Sequence, residues 1–174
     1  MTLERPITTE GAPPREADTA PRPYRLVRPR DPHVALARAV ELCARHAAFA
    51  DRPFGHWARV LIGQVNRGQC RFVVRDDAGG PRVVGFAGWF RTGRAAAERW
   101  LAGADGADHD PQGDCVVINA VAADDPGVPR ALMAQARLLE APPFTLYAKR
   151  VYADGRTRPV RLPVRAAHEI SGAP

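Results

Sequence analysis

Hydrophobic and polar positions along this chain change period several times, and each change predicts an element. Tyr24-Arg25-Leu26-Val27-Arg28 alternates as a short strand, which Pro29 and the Asp31-Pro32 pair end. Asp31 stands where a helix N-cap belongs and Pro32 at the first helical position. Val34, Leu36, Ala39, Val40, Leu42 and Cys43 follow at helical spacing, so a helix is predicted to about Phe49. Pro53 opens a second helix, through Trp57, Val60, Leu61 and Val65, that ends at Gly68. The period then shortens to two. Cys70 to Arg75 is a strand, Asp76 to Pro81 a turn, and Arg82 to Phe90 the second strand of a hairpin. A helix from Thr92 to Leu101 follows, with Thr92 as its cap, and then a Gly/Asp-rich loop from Ala102 to Gly113 that reads as solvated and mobile. Cys115 to Ala122 is the most continuously apolar segment and predicts a strand covered on both faces, interrupted by one polar residue, Asn119. Asp124-Asp125-Pro126-Gly127 leads into a helix from Pro129 to Glu140. After Pro142-Pro143 a strand runs from Phe144 to Tyr152, turns at Asp154-Gly155, and returns from Thr157 to Val164.

These elements define one domain, residues 24–164, between an N-terminal arm and a short tail, 165–174. Met1 to Pro23 holds five prolines and four threonines and no stretch able to bury a face, so it is expected to be disordered. The order β, α, α, β, β, α, β, α, β, β implies an α/β (α+β) fold, a mixed sheet carrying helices. It is similar to the GCN5-related N-acetyltransferase (GNAT-like) acyltransferase fold, more than to a Rossmann order, which would alternate regularly.

Composition narrows the partners. Of 174 residues 45% are hydrophobic and 25% charged, as in an ordinary globular domain. There are 25 Lys+Arg against 19 Asp+Glu, a net charge of +6, so an acidic partner is favoured. Lys149 is the only lysine. No apolar run approaches the roughly 18–20 residues of a membrane span, and the N-terminus lacks the apolar stretch of a signal peptide, so a cytoplasmic protein is expected. Cys43, Cys70 and Cys115 are far apart and odd in number, which supports neither disulfides nor a zinc ribbon; buried inert thiols are expected. The histidines His33, His46, His56, His109 and His168 form no metal pair, and no metal site is expected. P-loop, G-x-S-x-G and H-E-x-x-H motifs are absent. So is the Arg/Gln-x-x-Gly-x-Gly/Ala turn with which a coenzyme-A-using member of the fold cradles pyrophosphate. Without an aromatic-basic module, nucleic acid is not an expected partner.

The helix before Pro53, the run Asn66 to Asp76, the segment Pro81 to Phe90, and Gly113-Asp114 with the strand to Ala122 stand in an order by which the chain from Leu36 to Val164 resembles the RTX toxin-activating lysine acyltransferases, bacterial enzymes that move a fatty acyl chain from acyl carrier protein onto protoxin lysines. The helix before Pro53 and the run Asn66-Arg67-Gly68-Gln69-Cys70-Arg71-Phe72-Val73-Val74-Arg75-Asp76 resemble the family's helix and its Gln-Tyr-containing strand. Pro81-Arg82-Val83-Val84-Gly85-Phe86-Ala87-Gly88-Trp89-Phe90 resembles its Pro-Val strand ending in Trp. Gly113-Asp114 and the strand to Ala122 resemble its Ser-Gly-Asp and Ile-Asp region. The resemblance implies acyl carrier protein thioester as donor with no bound cofactor, an RTX-type protoxin as acceptor, and a catalytic histidine supported by an aspartate. An amine must lose its proton before it attacks a thioester, which is what such a base does.

The chain departs from that pattern: Phe49 stands where the histidine is expected and Asn119 where the aspartate is expected. Phe49 cannot move a proton, and loss of a positioned base costs ~10²–10⁴ in rate. The catalytic candidates are therefore His46, on nearly the same helical face as Phe49, and Asn119, with His56 as an alternative base. His46 can equally be an exposed helix histidine, and Asn119 an amide that satisfies a neighbouring strand. Trp89 and Trp100 read first as core, and Arg67, Arg71, Arg75, Arg150, Arg156 and Arg158 as residues able to meet an acidic carrier or simply face water. Two readings lead, an acyl-carrier-dependent lysine acyltransferase or a catalytically degenerate relative that binds carrier or toxin without turnover; a third, an acyl-coenzyme-A-dependent transferase of the same fold, is weakened by the missing pyrophosphate turn. A homodimer is also compatible with the chain.

Overall fold

The computed structural model describes residues 24–50, 52–104, 108–152 and 155–166. The expected N-terminal arm and nearly all of the tail lie outside these, as does Asp154 of the expected turn. Helix α1 (Pro32–Ala44) begins as its sequence directs: the Asp31 carboxylate accepts from the amides of His33 at 2.8 Å and Val34 at 3.1 Å. Those bonds hold its pKa below the usual carboxylate range. The helix stops five residues earlier than its apolar pattern predicts. At Arg45 and His46 the chain bonds back three residues instead of four and restarts as a single turn, α2 (Ala47–Ala50). Arg45 and His46 both reach Asp124, 78 and more residues away, and that contact has no local signature. Helix α3 (Phe54–Asn66) ends at Gly68, whose φ of 68° suits a glycine.

Six strands form one sheet in sequence order: β1 (Tyr24–Val27), β2 (Cys70–Asp77), β3 (Gly80–Thr92), β4 (Cys115–Ala123), β5 (Phe144–Val151) and β6 (Thr157–Val164). All neighbours run antiparallel except β4 and β5. The hairpin turn is tighter than expected, because Asp76 and Asp77 pair with Pro81 and Gly80 and leave only Ala78-Gly79 between the strands. Thr92 ends β3 and does not cap α4 (Arg94–Leu101); its hydroxyl donates to the carbonyl of Asp108. Helix α5 (Val128–Ala134) is shorter than predicted and gives way to a 3-10 turn, Ala136–Leu138, where the Gln135 side chain bonds the Tyr24 carbonyl.

Helices α1 and α3 cover one face of the sheet. Ala35, Ala39, Leu42 and Cys43 of α1 and Trp57, Leu61 and Val65 of α3 pack on Cys70, Phe72, Phe86, Ala120 and Ala122. Val34, expected on that apolar stripe, faces solvent. Helix α5 packs on the opposite face, with Val128 and Leu132 against Val73, Val84 and Ala87. No described helix is long and apolar enough to cross a membrane. The loop before β4 is tied down at its end: Arg91 donates to the Gly113 carbonyl at 3.0 and 2.7 Å, and Asp110 N–H returns to the Arg91 carbonyl. A Cβ on Gly113 would collide with the Thr92 backbone, which cannot swing away. Gly113→Ala is therefore expected to cost roughly 1–3 kcal/mol, read as a lower urea midpoint at unchanged slope. Gly79→Ala, with open space around it, should leave the midpoint unmoved.

Candidate functional site

Strand β4 stays paired with β3 along its whole length, and β5 with β6, but β4 and β5 pair only over Cys115–Ile118 against Thr145–Ala148. Beyond that point the sheet forks. Asn119 sits at the fork as the extra residue of a β-bulge, since Gly88 pairs with Ala120 and Trp89 with Ile118. Its Oδ1 accepts from Gln64 Nε2 of α3 at 2.6 Å. Gln64 is 1% exposed and reaches across the sheet only because residue 88 is glycine: a Cβ there would overlap its amide. The buried Gln64 Oε1 has no partner within the described residues.

A cavity of about 660 Å3 opens over this fork, between α2 and α3 on one side and α4 on the other. Its apolar wall includes Phe49, Trp57, Trp100, Ile118 and Val121, and its polar wall His56, Gln64, His109 and Asn119. Arg52, Arg67 and Lys149 supply charge, and no described lining residue is Asp or Glu. The lone lysine lies with Nζ 4.5 Å from the centre of the Trp100 ring. Phe49 meets Trp57 edge-on, at 6.2 Å between centroids.

Of the candidates, Asn119, His56 and Phe49 share this cavity. His46 does not line it; its Nε2 lies 3.1 Å from Asp124 Oδ1, while Arg45 holds the other carboxylate oxygen at 2.8 Å. Trp89 is buried on the opposite face, donating to Glu140 at 2.8 Å. Arg75 is committed to Asp77 and Asp125, and Arg150 and Arg156 flank the Tyr152 ring. Gln64, His109 and Lys149 are the site residues that sequence reasoning passed over. Gln64 had a signal: it is the polar member of an otherwise apolar α3 stripe with Trp57, Leu61 and Val65.

The turn into α5, where the fold expected from the element order would cradle a pyrophosphate, does not fit an anion. Pro126 and Pro129 have no N–H. Gly127 N–H goes to Asp125 Oδ1 at 2.8 Å, Val128 N–H to the Asp125 carbonyl at 3.1 Å, and Asp124 N–H to Val84 at 2.9 Å. The Asp125 carboxylate fills the space, bound also by the Tyr24 hydroxyl at 2.7 Å and by Arg75. Tyr24 first, with Gly127 and Arg75, holds its pKa below the usual range, so it stays charged.

No family model and no curated protein matches the chain. Similar solved structures include the following two. One is the histone acetyltransferase HPA2 and related acetyltransferase from Corynebacterium glutamicum ATCC 13032, at 20% identity and TM-score 0.43, covering 75% of this chain and 77% of that one. The other is GphF, a GNAT-like decarboxylase in complex with isobutyryl-CoA, at 20% identity and TM-score 0.46, covering 75% and 67%. At this distance the likeness concerns the fold and carries no argument about reaction.

Burial pushes the thiol of Cys43 up to about 12 and those of Cys70 and Cys115 up to about 11. None is therefore expected to react with a disulfide reagent at pH 8 in the folded protein, and all three should react on denaturation; a native thiol titre above zero would contradict this. Below about pH 8.5 both states keep these protons. Above it unfolded thiols ionise first, so the thiols' contribution to stability is lost as pH rises toward 11.

Proposed function

We propose that this chain is an amine acyltransferase whose acyl thioester lies in the fork between β4 and β5. The parting of those strands over the 660 Å3 cavity carries the reading. A thioester is already activated, which leaves the protein to bind the acyl chain, hold the carbonyl beside the amine and take a proton. Phe49, Trp57, Trp100 and Val121 offer the chain apolar surface. Beyond Ile118, β4 has no β5 partner, and an extended amide-bearing arm can pair with that edge as a strand does. The wall is cationic and has no carboxylate among its described residues, which disfavours an ammonium, easing loss of the acceptor's proton, and favours the oxyanion that forms at the thioester carbonyl. The amine nitrogen bonds to that carbonyl carbon, the C–S bond breaks, the thiol leaves protonated and an amide remains. His56, one of two imidazoles on the cavity wall with His109, takes the proton, and the Gln64–Asn119 pair fixes the polar end of the fork.

In its fuller form the donor is an acyl carrier protein thioester and the acceptor a lysine of an RTX-type protoxin. The closed turn before α5, the net charge of +6 and the resemblance of Leu36 to Val164 support this form. A second reading, carrier or toxin binding without turnover, is favoured by Phe49 lying in the cavity where that resemblance places a histidine.

The test is thiol release and acyl-lysine formation, by mass spectrometry, from an acyl carrier protein thioester and a lysine peptide. Turnover is expected, with His56→Gln lowering kcat by ~10²–10⁴ at little-changed KM, and Val121→Trp raising KM by filling the fork. A comparable loss in His46→Ala with His56→Gln active would move the base to the His46–Asp124 pair. Binding without turnover would establish the second reading, and neither binding nor turnover would overturn both.

A further inference from the structure

A second pocket, of about 380 Å3, is lined by four arginines: Arg28 after β1, Arg67 at the end of α3, Arg71 on β2 and Arg137 in the 3-10 turn. One carboxylate, Glu140, shares the lining, and it is engaged by the Trp89 indole N–H at 2.8 Å and by Arg91 at 3.8 Å. Among the described residues, none of the four arginines forms an ion pair. Arg71 builds the floor: it donates to the carbonyls of Gly68, Cys70 and Leu138 at 3.2, 2.7 and 3.2 Å and stacks 5.1 Å from the Trp89 ring. Those acceptors are neutral, and Glu140 is the carboxylate that acts on its charge. Burial, and then Arg28, holds its pKa below the ordinary arginine value, against smaller opposing effects of Cys70 and Glu140. Arg67 gives Nε to Gln69 Oε1 at 2.8 Å, leaving its two terminal nitrogens. Arg28 passes so close to Gly68 that a Cβ there would lie 2.7 Å from Nη2.

Four guanidiniums around one depression repel each other until an anion comes between them, and their forked donors match the tetrahedral oxygens of a phosphate. Arg67 also lines the cavity over the strand fork. Arg67 thus borders both spaces, and an anion held here makes no use of the closed turn before α5. We infer that this pocket holds the phosphate of the donor's phosphopantetheine arm, which rests on the acyl-thioester reading above and gives it the anion site that the α5 turn lacks.

Titration calorimetry on the full chain with 4′-phosphopantetheine and with dephosphorylated pantetheine tests it. The phosphorylated arm is expected to bind at least roughly tenfold more tightly, with the ratio shrinking as salt is raised. Arg28→Glu/Arg137→Glu changes two exposed residues and should bring the phosphorylated arm down to the affinity of pantetheine, whereas Arg59→Glu, an exposed arginine elsewhere on α3, should keep the ratio. Equal affinities in the wild type, or a ratio that survives the double change at an unaltered Tm, would overturn the assignment. Coenzyme A and a phosphopantetheine-bearing carrier protein are then compared: the donor is the one whose affinity falls with the double change, and if neither falls the assignment is overturned. Wild-type turnover of acyl-pantetheine, which has no phosphate, reports on the acyltransferase reading alone. Its absence beside an arginine-dependent phosphate preference would remove that reading and leave the anion pocket standing.

Discussion

The one-residue bulge at Asn119 governs both which side chains of β4 are buried and where β5 leaves it. Before the bulge, Cys115 and Val117 face α4, together with Phe90 of β3. An unbroken strand would then turn Asn119 and Val121 toward the same face. The extra residue swaps the alternation, so Ala120 and Ala122 lie instead beneath α1, whose contact residues Ala35 and Ala39 are equally small. Close approach of helix to sheet thus follows from a register shift, and the polar residue that makes the shift is left at the edge of the fork. Its amide is held by Gln64, and Gln64 by the space above Gly88. Because β3 and β6 keep their partners along their full lengths, the sheet opens without losing an edge.

Charge is sorted around that fork more sharply than a net value of +6 conveys. The carboxylates Asp124 and Asp125 sit past the end of β4 and are matched there by Arg45, His46, Arg75 and Tyr24. They stitch α1, β1 and β2 to the turn before α5. The cavity wall keeps cations and no described carboxylate, and the four-arginine pocket keeps one carboxylate already bound elsewhere. Around the fork, Asp124 and Asp125 hold elements together while the described cations of the two pockets face open space, which in the proposed reading suits an anionic donor.

Much of the fold was legible because it is written in local period: every strand and the start of each of the two long helices follow from alternation, from Asp31-Pro32 and from Pro53. What was not legible depends on contacts distant in sequence. The break at Arg45–His46 answers to Asp124, and the early end of α5 coincides with Gln135 turning to Tyr24. The candidate site was half visible. Asn119 in an apolar strand and Gln64 in an apolar helix stripe are each anomalous alone, and a buried amide without a partner costs roughly 1–3 kcal/mol. Two such anomalies in one chain are natural partners, a pairing that sequence reasoning could have drawn and did not. That Arg67 and Arg71 share a pocket while Arg75 is locked to carboxylates could only come from three dimensions.

Position 49 bears most directly on what the site can do. The side chain at 49, where the resemblance noted from sequence puts a histidine, lines the cavity and has no group that can move a proton. Phe49 instead leans edge-on against Trp57 and extends the apolar wall toward the helix that carries His56. A phenyl ring gives that wall apolar surface and no proton acceptor, so in the proposed acyltransferase the base comes from another element. His56 precedes Trp57 on the adjoining helix and lines the same space, whereas His46, three residues from Phe49 in sequence, is turned away by the helix break and held on Asp124. The break that hid the end of α1 from sequence is therefore also what keeps His46, the nearest histidine to Phe49 in sequence, off the wall that His56 lines.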